Sequence, residues 1–371
     1  MNLRGVVHVL LWCFVRPSSG QEVRCAPVEG RRWLFGAAHK TGTALLWQVV
    51  YALWPAKLDV AERPLDRAVT TDEQIIMWTR MFWREPENGQ DITAERATEA
   101  LEKLGDKTRG VLFVRDPLEI ILSAYFYHVG TDNPDEDWLL ATPIYAAKEI
   151  WVPRRKFDEL CRRARGGAGL AAGDSASVAA CVAAAFIRDS TNDANERYDN
   201  TYQDLLRDVD VNLGIMIEAI RSYPDVEDLN KTMHAVNSLS PARKANYHFF
   251  DLDAVTASTE TFTAAFEGIW RFLGSRNDTD CMSVASRFDT NKRPSGGHFT
   301  GHAMPATLAH DRDSLRCVFT QTKFFQKRIE PLRRSLGYGG DEGGRNPYLE
   351  YPLTPDDDPL AEDPSVPSHR V

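Results

Sequence analysis

One lysine stands in a short turn between an apolar segment and an apolar helical pattern, where it could bind an anion. Residues 33 to 38 read as a buried strand, and residues 43 to 53 carry apolar side chains at helical spacing. The first backbone N–H groups of a helix have no intrahelical partner, and the helix dipole surrounds them with positive potential. The turn therefore predicts a phosphate or sulfate site, to which Lys40 adds a full charge.

This turn differs from the common loop that binds nucleoside triphosphates. That loop has the pattern G-x-x-x-x-G-K-[ST], with a glycine directly before the lysine. Here His39 precedes the lysine, and Gly42 follows two residues after it. Taken alone, the turn leaves open an ordinary strand, turn and helix with a solvated Lys40.

A second pattern typical of anion binding covers residues 110 to 128. An apolar strand ends at Arg115, and Pro117 suits the first turn of a following helix, where its missing N–H costs nothing. Ser123 lies two helical turns further on, so that a guanidinium and a hydroxyl could hold one phosphate. The alternative is a structural arginine that Asp116 neutralises.

The two patterns together resemble the sulfotransferases that use 3′-phosphoadenosine 5′-phosphosulfate (PAPS). Residues 39 to 43, His-Lys-Thr-Gly-Thr, resemble the loop that binds the 5′-phosphosulfate, and residues 115 to 123 match the 3′-phosphate element R-x-P-x5-S. Residues 247 to 252 resemble the strand and turn written Y-E-D-L, and residues 265 to 274 resemble a helix that ends in F-L-G. Residues 291 to 298 resemble a basic, glycine-rich loop that closes over the nucleotide.

The fold that we expect is a three-layer α/β domain. Strands that alternate with helices require crossovers, which favour a central parallel sheet with helices on both faces. Ligand should then bind at the carboxyl ends of the strands. The resemblance implies a P-loop-like sulfotransferase fold and a domain over residues 31 to 337.

The activity implied by the resemblance is transfer of a sulfuryl group from PAPS to a hydroxyl or amine, without a metal. Lys40 would neutralise charge at the scissile bond, and backbone amides of the loop would hold the 5′-phosphate. The nucleotide-binding residues that the resemblance implies are Lys40, Thr41, Gly42, Thr43, Ala44, Arg115, Ser123, Lys292 and Arg293. The acceptor would be a glycan, a small alcohol, a phenol or a lipid.

The acceptor's proton needs a general base within hydrogen-bond reach of the attacking atom. In several lumenal families that base is a glutamate about twenty residues after the loop, and Glu62 holds the comparable position. Glu73, Glu85 and His128 are its rivals.

Two other functions stay open at this point. A kinase or other phosphoryl transferase with a degenerate phosphate loop would require a divalent metal. A nucleotide-binding module without catalysis would use Lys40 for affinity alone.

The formal net charge of −9 is concentrated at the C-terminus. Residues 341 to 371 hold eight acidic and two basic residues and six of the 20 prolines. We therefore expect a disordered tail over residues 338 to 371. The rest of the chain is nearly balanced, which argues against a broad nucleic-acid-binding face.

Residues 1 to 20 have the outline of a secretory signal peptide, with an early arginine, a short apolar run and small residues after it. The run is too short to span a membrane. This favours the secretory pathway, either the Golgi lumen or secretion, with the cytoplasm as the alternative. Cys281 and Cys317 flank the glycine-rich loop, and the resemblance implies a disulfide between them; two buried free thiols are the alternative.

Three further expectations concern the framework. Trp78, Phe82 and Trp83 have helical spacing and belong to the core or to an acceptor pocket. The apolar positions from Leu205 to Ile220 predict one helix. Those from residue 315 to residue 336 predict a long terminal helix.

Overall fold

The protein is described by a computed structural model that divides into two compact units. The described residues are 25–27, 30–54, 60–61, 75–79, 94–132, 136–144, 146–147, 151–165, 175–189, 200–275, 278–292 and 306–339. The sheet unit comprises residues 24–116, 228–293 and 333–371, and the helical unit comprises residues 1–23, 117–227 and 294–332.

The sheet unit is built on a parallel sheet. Its strands in chain order are β1 (Arg32–Ala37), β2 (Val60–Ala61), β3 (Ile75–Thr79), β4 (Thr108–Val114) and β5 (Tyr247–Asp251). They lie in the order β2-β3-β1-β4-β5, and every neighbouring pair is parallel. All seven residues of β4 are buried, as expected for a strand covered on both faces. The prediction of an α/β protein with a central parallel sheet is confirmed.

Helices make up most of the remaining described chain. In chain order they are α1 (Thr43–Leu53), α2 (Ala94–Lys103), α3 (Pro117–Gly130), α4 (Asp137–Leu140), α5 (Trp151–Arg165), α6 (Ser175–Asp189), α7 (Tyr202–Asp208), α8 (Val211–Asn237), α9 (Pro241–Lys244), α10 (Leu252–Thr256), α11 (Thr259–Leu273), α12 (Asp278–Ala285), α13 (Ala306–Thr320) and α14 (Glu330–Ser335). Short 3₁₀ turns cover Ser286–Phe288 and Thr290–Lys292, and a π-helical turn covers Phe325–Ile329.

The strand order explains how the sheet is covered. The chain passes from β1 to the edge strand β2 through a segment containing α1, and later from β3 back across β1 to β4 through α2. Because parallel crossovers are right-handed, crossovers in opposite directions place their helices on opposite faces of the sheet. This arrangement is consistent with the three layers that the sequence predicts.

Aromatic packing joins α11 to the middle of the sheet. The ring centroids of Trp33 and Trp270 lie 6.1 Å apart, and Trp33 Nε1 donates a hydrogen bond of 3.0 Å to the carbonyl of Leu273. The helix ends at Gly274, whose φ of 68° is left-handed. The predicted glycine stop is therefore confirmed, since a residue without a Cβ adopts this conformation most easily.

The helical unit corrects two expectations about helix continuity. Val209 is extended, with φ −95° and ψ 159°, so the single helix predicted from Leu205 to Ile220 is two helices, α7 and α8. Asp210 explains the restart, because its carboxylate accepts a 2.9 Å hydrogen bond from the amide of Asn212. The predicted terminal helix is also interrupted, after α13, where the Thr322 hydroxyl accepts a hydrogen bond from the Phe325 amide.

The helical spacing of the aromatic cluster predicts the wrong kind of element for Trp78. Trp78 lies on β3 and is 1% exposed, so it belongs to the core of the sheet unit. Phe82 and Trp83 lie outside the described residues. Helical spacing over so short a segment does not distinguish a helix from a buried strand.

The cysteine pairing also differs from the one that the resemblance implies. Disulfides join Cys25 to Cys281 and Cys161 to Cys181, whereas Cys317 is an exposed free thiol. The Cys281–Cys317 pairing is wrong, because Cys281 is fully buried against the segment that precedes β1. Two disulfides are compatible with a secreted or lumenal protein. Among the described helices, none has the length and apolar character to span a membrane.

Candidate functional site

The turn after β1 is closed on a single carbonyl oxygen. Three groups donate to the oxygen of Ala38: the Thr41 amide at 3.2 Å, the Thr41 hydroxyl at 2.9 Å and the Thr43 hydroxyl at 2.8 Å. Thr41 is completely buried. The Thr41 amide therefore has an acceptor inside the turn, and the nucleotide-binding role of Thr41 stays a prediction from the sequence.

Two residues of the turn have left-handed backbones. Lys40 has φ 60° and Gly42 has φ 107°. A Cβ on Gly42 would lie 3.1 Å from Leu252 Cδ1 and 3.2 Å from Phe113 Cδ1, so a side chain there would be both strained and crowded. A lysine at positive φ is uncommon. Backbone outliers of this kind cluster at active sites and in segments that bind ligands.

The start of α1 carries the amides that could bind an anion. Gly42 is the N-cap and has no side chain to cap the helix, and its carbonyl accepts the first helical hydrogen bond from Leu46 at 2.9 Å. The amides of Thr43 and Ala44 precede that bond, and the first turn contains no acidic residue. The helix dipole is therefore not offset by a carboxylate in this turn, and the first amides favour a negative group.

Arg115 joins the second predicted motif to this loop. It follows β4 directly, and its Nη1 atom lies 3.4 Å from the carbonyl oxygen of Lys40. The other side of its guanidinium binds Asp253, with Nε 3.0 Å from each carboxylate oxygen and Nη2 2.7 Å from Oδ1. Asp253 is thus a residue of the site that was missed from the sequence.

The register of the sheet contains the signal that could have found Asp253. Val114 of β4 pairs with Asp251 of β5, so the residues that follow the two strands meet at one edge of the sheet. Arg115 comes one residue after Val114, and Asp253 comes two residues after Asp251. Opposite charges directly beyond the ends of two strands would have suggested an ion pair, once those strands were known to be neighbours.

The helix that carries Asp253 is fixed at its start. Asp251 caps α10 by accepting a 2.8 Å hydrogen bond from the Ala254 amide, and its second oxygen accepts a hydrogen bond from the hydroxyl of Tyr338. Burial raises the pKa of Asp251, although the hydrogen bonds from Tyr338 and Ala254 oppose that shift. Burial, together with the nearby Asp251, also raises the pKa of Tyr338.

A second ion pair lies at the same end of β4. Arg333 binds Asp116 through two hydrogen bonds of 2.7 Å, from Nε and Nη2 to the two carboxylate oxygens. Asp116 therefore pairs with Arg333. Arg115, which the structural alternative pairs with Asp116, is bound by Asp253. Tyr338, the first residue of the predicted tail, and Arg333 both attach the end of the described chain to the edge of the sheet.

The structure describes two of the other predicted site residues. Ser123 lies half-buried on α3, which belongs to the helical unit. Lys292 lies in a 3₁₀ turn of the sheet unit, with its ammonium 3.7 Å from Asp289 Oδ2. The remaining predicted residues, Arg293, Glu62, Glu73 and Glu85, lie outside the described residues.

His128 is not available as a general base. It is 1% exposed, and its Nδ1 lies 2.8 Å from the Glu218 carboxylate. Glu218 also accepts hydrogen bonds from Ser222 at 2.8 Å and from the Tyr202 hydroxyl at 3.0 Å, and Arg221 Nη1 lies 3.2 Å away. These five residues form a buried ionic cluster in the helical unit, and such a cluster excludes an acceptor from His128.

The charges of this cluster depend on each other. Burial alone would raise the pKa of Glu218, but the charges of His128 and Arg221 lower it to about 2. The guanidinium of Arg221 lies 4.9 Å from the ring centroid of Trp138, which adds a cation–π contact. Sequence reasoning missed the cluster because its members come from three separate helices.

None of the family models, curated proteins or solved structures compared with this chain matches it.

Proposed function

We propose that this protein is a sulfotransferase that transfers the sulfuryl group of PAPS to a hydroxyl or amine of its acceptor. The observation that carries the proposal is the start of α1, where uncapped amides, Lys40 and the left-handed Gly42 come together after the central strand β1. The site is at the carboxyl end of a parallel strand, where α/β proteins bind their ligands. Within the proposal, the sheet belongs to a P-loop-like sulfotransferase fold.

The donor groups suit the anionic end of PAPS. The amides of Gly42, Thr43 and Ala44 would bind the oxygens of the 5′-phosphosulfate, as helix starts bind phosphate groups. Lys40 would neutralise the charge that develops on the bridging oxygen as the sulfur–oxygen bond breaks. A sulfuryl group carries less charge than a phosphoryl group, so that one lysine can serve where phosphoryl transfer uses a metal.

Arg115 supports the same proposal from the neighbouring strand. Its guanidinium contacts the backbone of the loop, and it is the first residue of the R-x-P-x5-S element. A guanidinium recognises phosphate through paired hydrogen bonds, so it suits the 3′-phosphate that distinguishes PAPS from other adenylates. That Ser123 binds the same 3′-phosphate together with Arg115 stays a prediction from the sequence.

We further propose that the protein works in the Golgi lumen or outside the cell. The two disulfides support this, since disulfides persist in oxidising compartments.

A binding and turnover assay on the full chain tests the function. We expect 3′-phosphoadenosine 5′-phosphate to bind without metal and more tightly than ATP, and we expect PAPS to label one of a panel of glycan, phenol, alcohol and lipid acceptors in the presence of a chelator. Binding of ATP that requires magnesium would instead favour a phosphoryl transferase. Nucleotide binding without a product from any acceptor would leave a binding module.

A further inference from the structure

Each of the three nitrogens of the Arg115 guanidinium contacts a group of the protein itself. Nε and Nη2 contact the carboxylate of Asp253, and Nη1 faces the carbonyl of Lys40. Asp253 thus holds the Nε–Nη2 edge of the guanidinium, and a phosphate that binds Arg115 through paired hydrogen bonds at this edge needs the nitrogens that Asp253 contacts. A carboxylate and a phosphate cannot both accept from the same edge of one guanidinium, so one must replace the other.

The two partners differ in their freedom to move. The side chain of Arg115 is 13% exposed, whereas that of Asp253 is 44% exposed. The start of α10 is held by the capping bond from Ala254 to Asp251 and by the hydroxyl of Tyr338. The Asp253 carboxylate can therefore turn into solvent by side-chain rotation alone, while the helix and Arg115 stay in place.

We propose that Asp253 is a displaceable counter-ion, whose carboxylate competes with the 3′-phosphate of donor and product for Arg115. The inference rests on the proposed function, which supplies a nucleotide with a 3′-phosphate. Asp253 keeps the guanidinium paired when no nucleotide is bound, and its negative charge weakens every complex in which a phosphate takes its place. Its effect is to make the bisphosphate product leave faster than it otherwise would.

The opposite role would be a fixed support. If Asp253 stayed on Arg115 in the complex and oriented it, loss of its charge would weaken nucleotide binding. Displacement and support therefore predict effects of opposite sign for the same substitution, Asp253→Asn.

The experiment measures the affinity and the dissociation rate of 3′-phosphoadenosine 5′-phosphate and of adenosine 5′-phosphate for the full chain and for Asp253→Asn. We expect the variant to bind the bisphosphate about tenfold more tightly, mainly through slower dissociation, because one repulsive charge near the phosphate is removed. Affinity for the monophosphate should stay within about twofold, since that ligand has no group for Arg115. The same gain should be absent when Arg115→Ala is combined with Asp253→Asn.

Asp106→Asn is the matched control. Asp106 pairs with Arg243 at 2.8 Å, is 81% exposed, and precedes β4 at its amino end, opposite to the end that carries Arg115. The Asp106→Asn substitution removes one negative charge from the sheet unit, as Asp253→Asn does. It should leave the affinities for the bisphosphate and for the monophosphate unchanged. Asp253→Ser, with melting curves for each protein, shows that the result does not depend on one replacement.

Equal or weaker binding of the bisphosphate by both Asp253 variants, with normal binding by the unsubstituted protein, would overturn the displacement and leave the proposed function intact. An equal gain in affinity for the monophosphate would also overturn the displacement. The loss of the negative charge would then strengthen the binding of any anionic nucleotide, whether or not it has a 3′-phosphate. If the unsubstituted protein and its variants bind neither nucleotide, the proposed function fails and the inference fails with it.

Discussion

The Nη1 atom of Arg115 lies 3.4 Å from the carbonyl oxygen of Lys40, so the residue that follows β4 touches the backbone of the loop that follows β1. The two residues belong to motifs that stand 75 positions apart in the chain. Because β1 and β4 are parallel neighbours, their carboxyl ends open on the same edge of the sheet. Each cation can be removed separately, and we expect the two removals to have different effects.

Lys40→Ala should lower the turnover number of PAPS by about 10²- to 10³-fold, which is typical for loss of one group that stabilises charge in the transition state. Affinity for 3′-phosphoadenosine 5′-phosphate should change much less, because the amides of α1 remain. Single-turnover kinetics and calorimetry measure the two quantities. Lys107→Ala, an exposed lysine just before β4, is the control. Near-normal turnover in Lys40→Ala would refute the proposed role of the lysine.

Arg115→Ala should weaken PAPS roughly 10- to 100-fold, as expected for loss of hydrogen bonds to a charged group. Adenosine 5′-phosphosulfate, which lacks the 3′-phosphate, should bind the variant and the unsubstituted protein almost equally. Competition binding with the two ligands measures the difference. Equal losses for both ligands would mean that Arg115 supports the loop and does not contact the nucleotide.

Glu218→Gln should destabilise the protein by about 3–5 kcal/mol, because it leaves buried cations without their counter-charge. The pKa of Glu218 is lowered to about 2 in the fold, below its ordinary value of 4.5. Its contribution is therefore complete above about pH 4.5 and is lost as the pH falls towards 2. Denaturant unfolding between pH 7 and pH 3 measures the free energy of unfolding of the unsubstituted protein and of Glu218→Gln. The difference between the two should become smaller as the pH falls. A constant gap would contradict the assigned charge state.

Combined replacement of Cys25 and Cys281 by serine should lower stability by about 2–5 kcal/mol, the usual loss for a native disulfide. The bond joins residues 256 positions apart, so the unfolded chain gains much freedom without it.

Peptide mapping without reduction should recover the Cys25–Cys281 and Cys161–Cys181 pairs and an alkylated Cys317. A peptide that joins Cys281 to Cys317 would contradict the structure.

Truncation after Gly340 should leave the melting temperature and the turnover unchanged, because the acidic, proline-rich residues that are removed offer little apolar surface to bury. Tyr338→Phe should instead lower stability by roughly 1–3 kcal/mol, since the buried Asp251 loses a hydrogen-bond donor. Thermal melts of the two proteins measure this contrast. A large loss of stability on truncation would show that the tail packs on the sheet unit.

The local sequence was enough to predict elements whose signals lie within a few residues of one another. It predicted the strand before Lys40 and the helix after Gly42, the helix start at Pro117 and the helix end at Gly274, and all of these are observed. The α/β class followed from the alternation of such elements. A glycine at a helix end, a proline in the first turn of a helix and apolar periodicity are all local signals that involve neighbouring residues. They can therefore be recognised without knowing the fold.

Only the tertiary structure decided which distant residues meet. It paired Asp253 with Arg115, Arg333 with Asp116 and Cys281 with Cys25, and it buried His128 against Glu218. The order of the strands controls the first of these contacts, because it determines which carboxyl ends are neighbours. Strand order is a property of the whole chain, and no spacing within one segment contains it. The groups that surround Arg115 therefore became visible only when β4 and β5 were seen side by side.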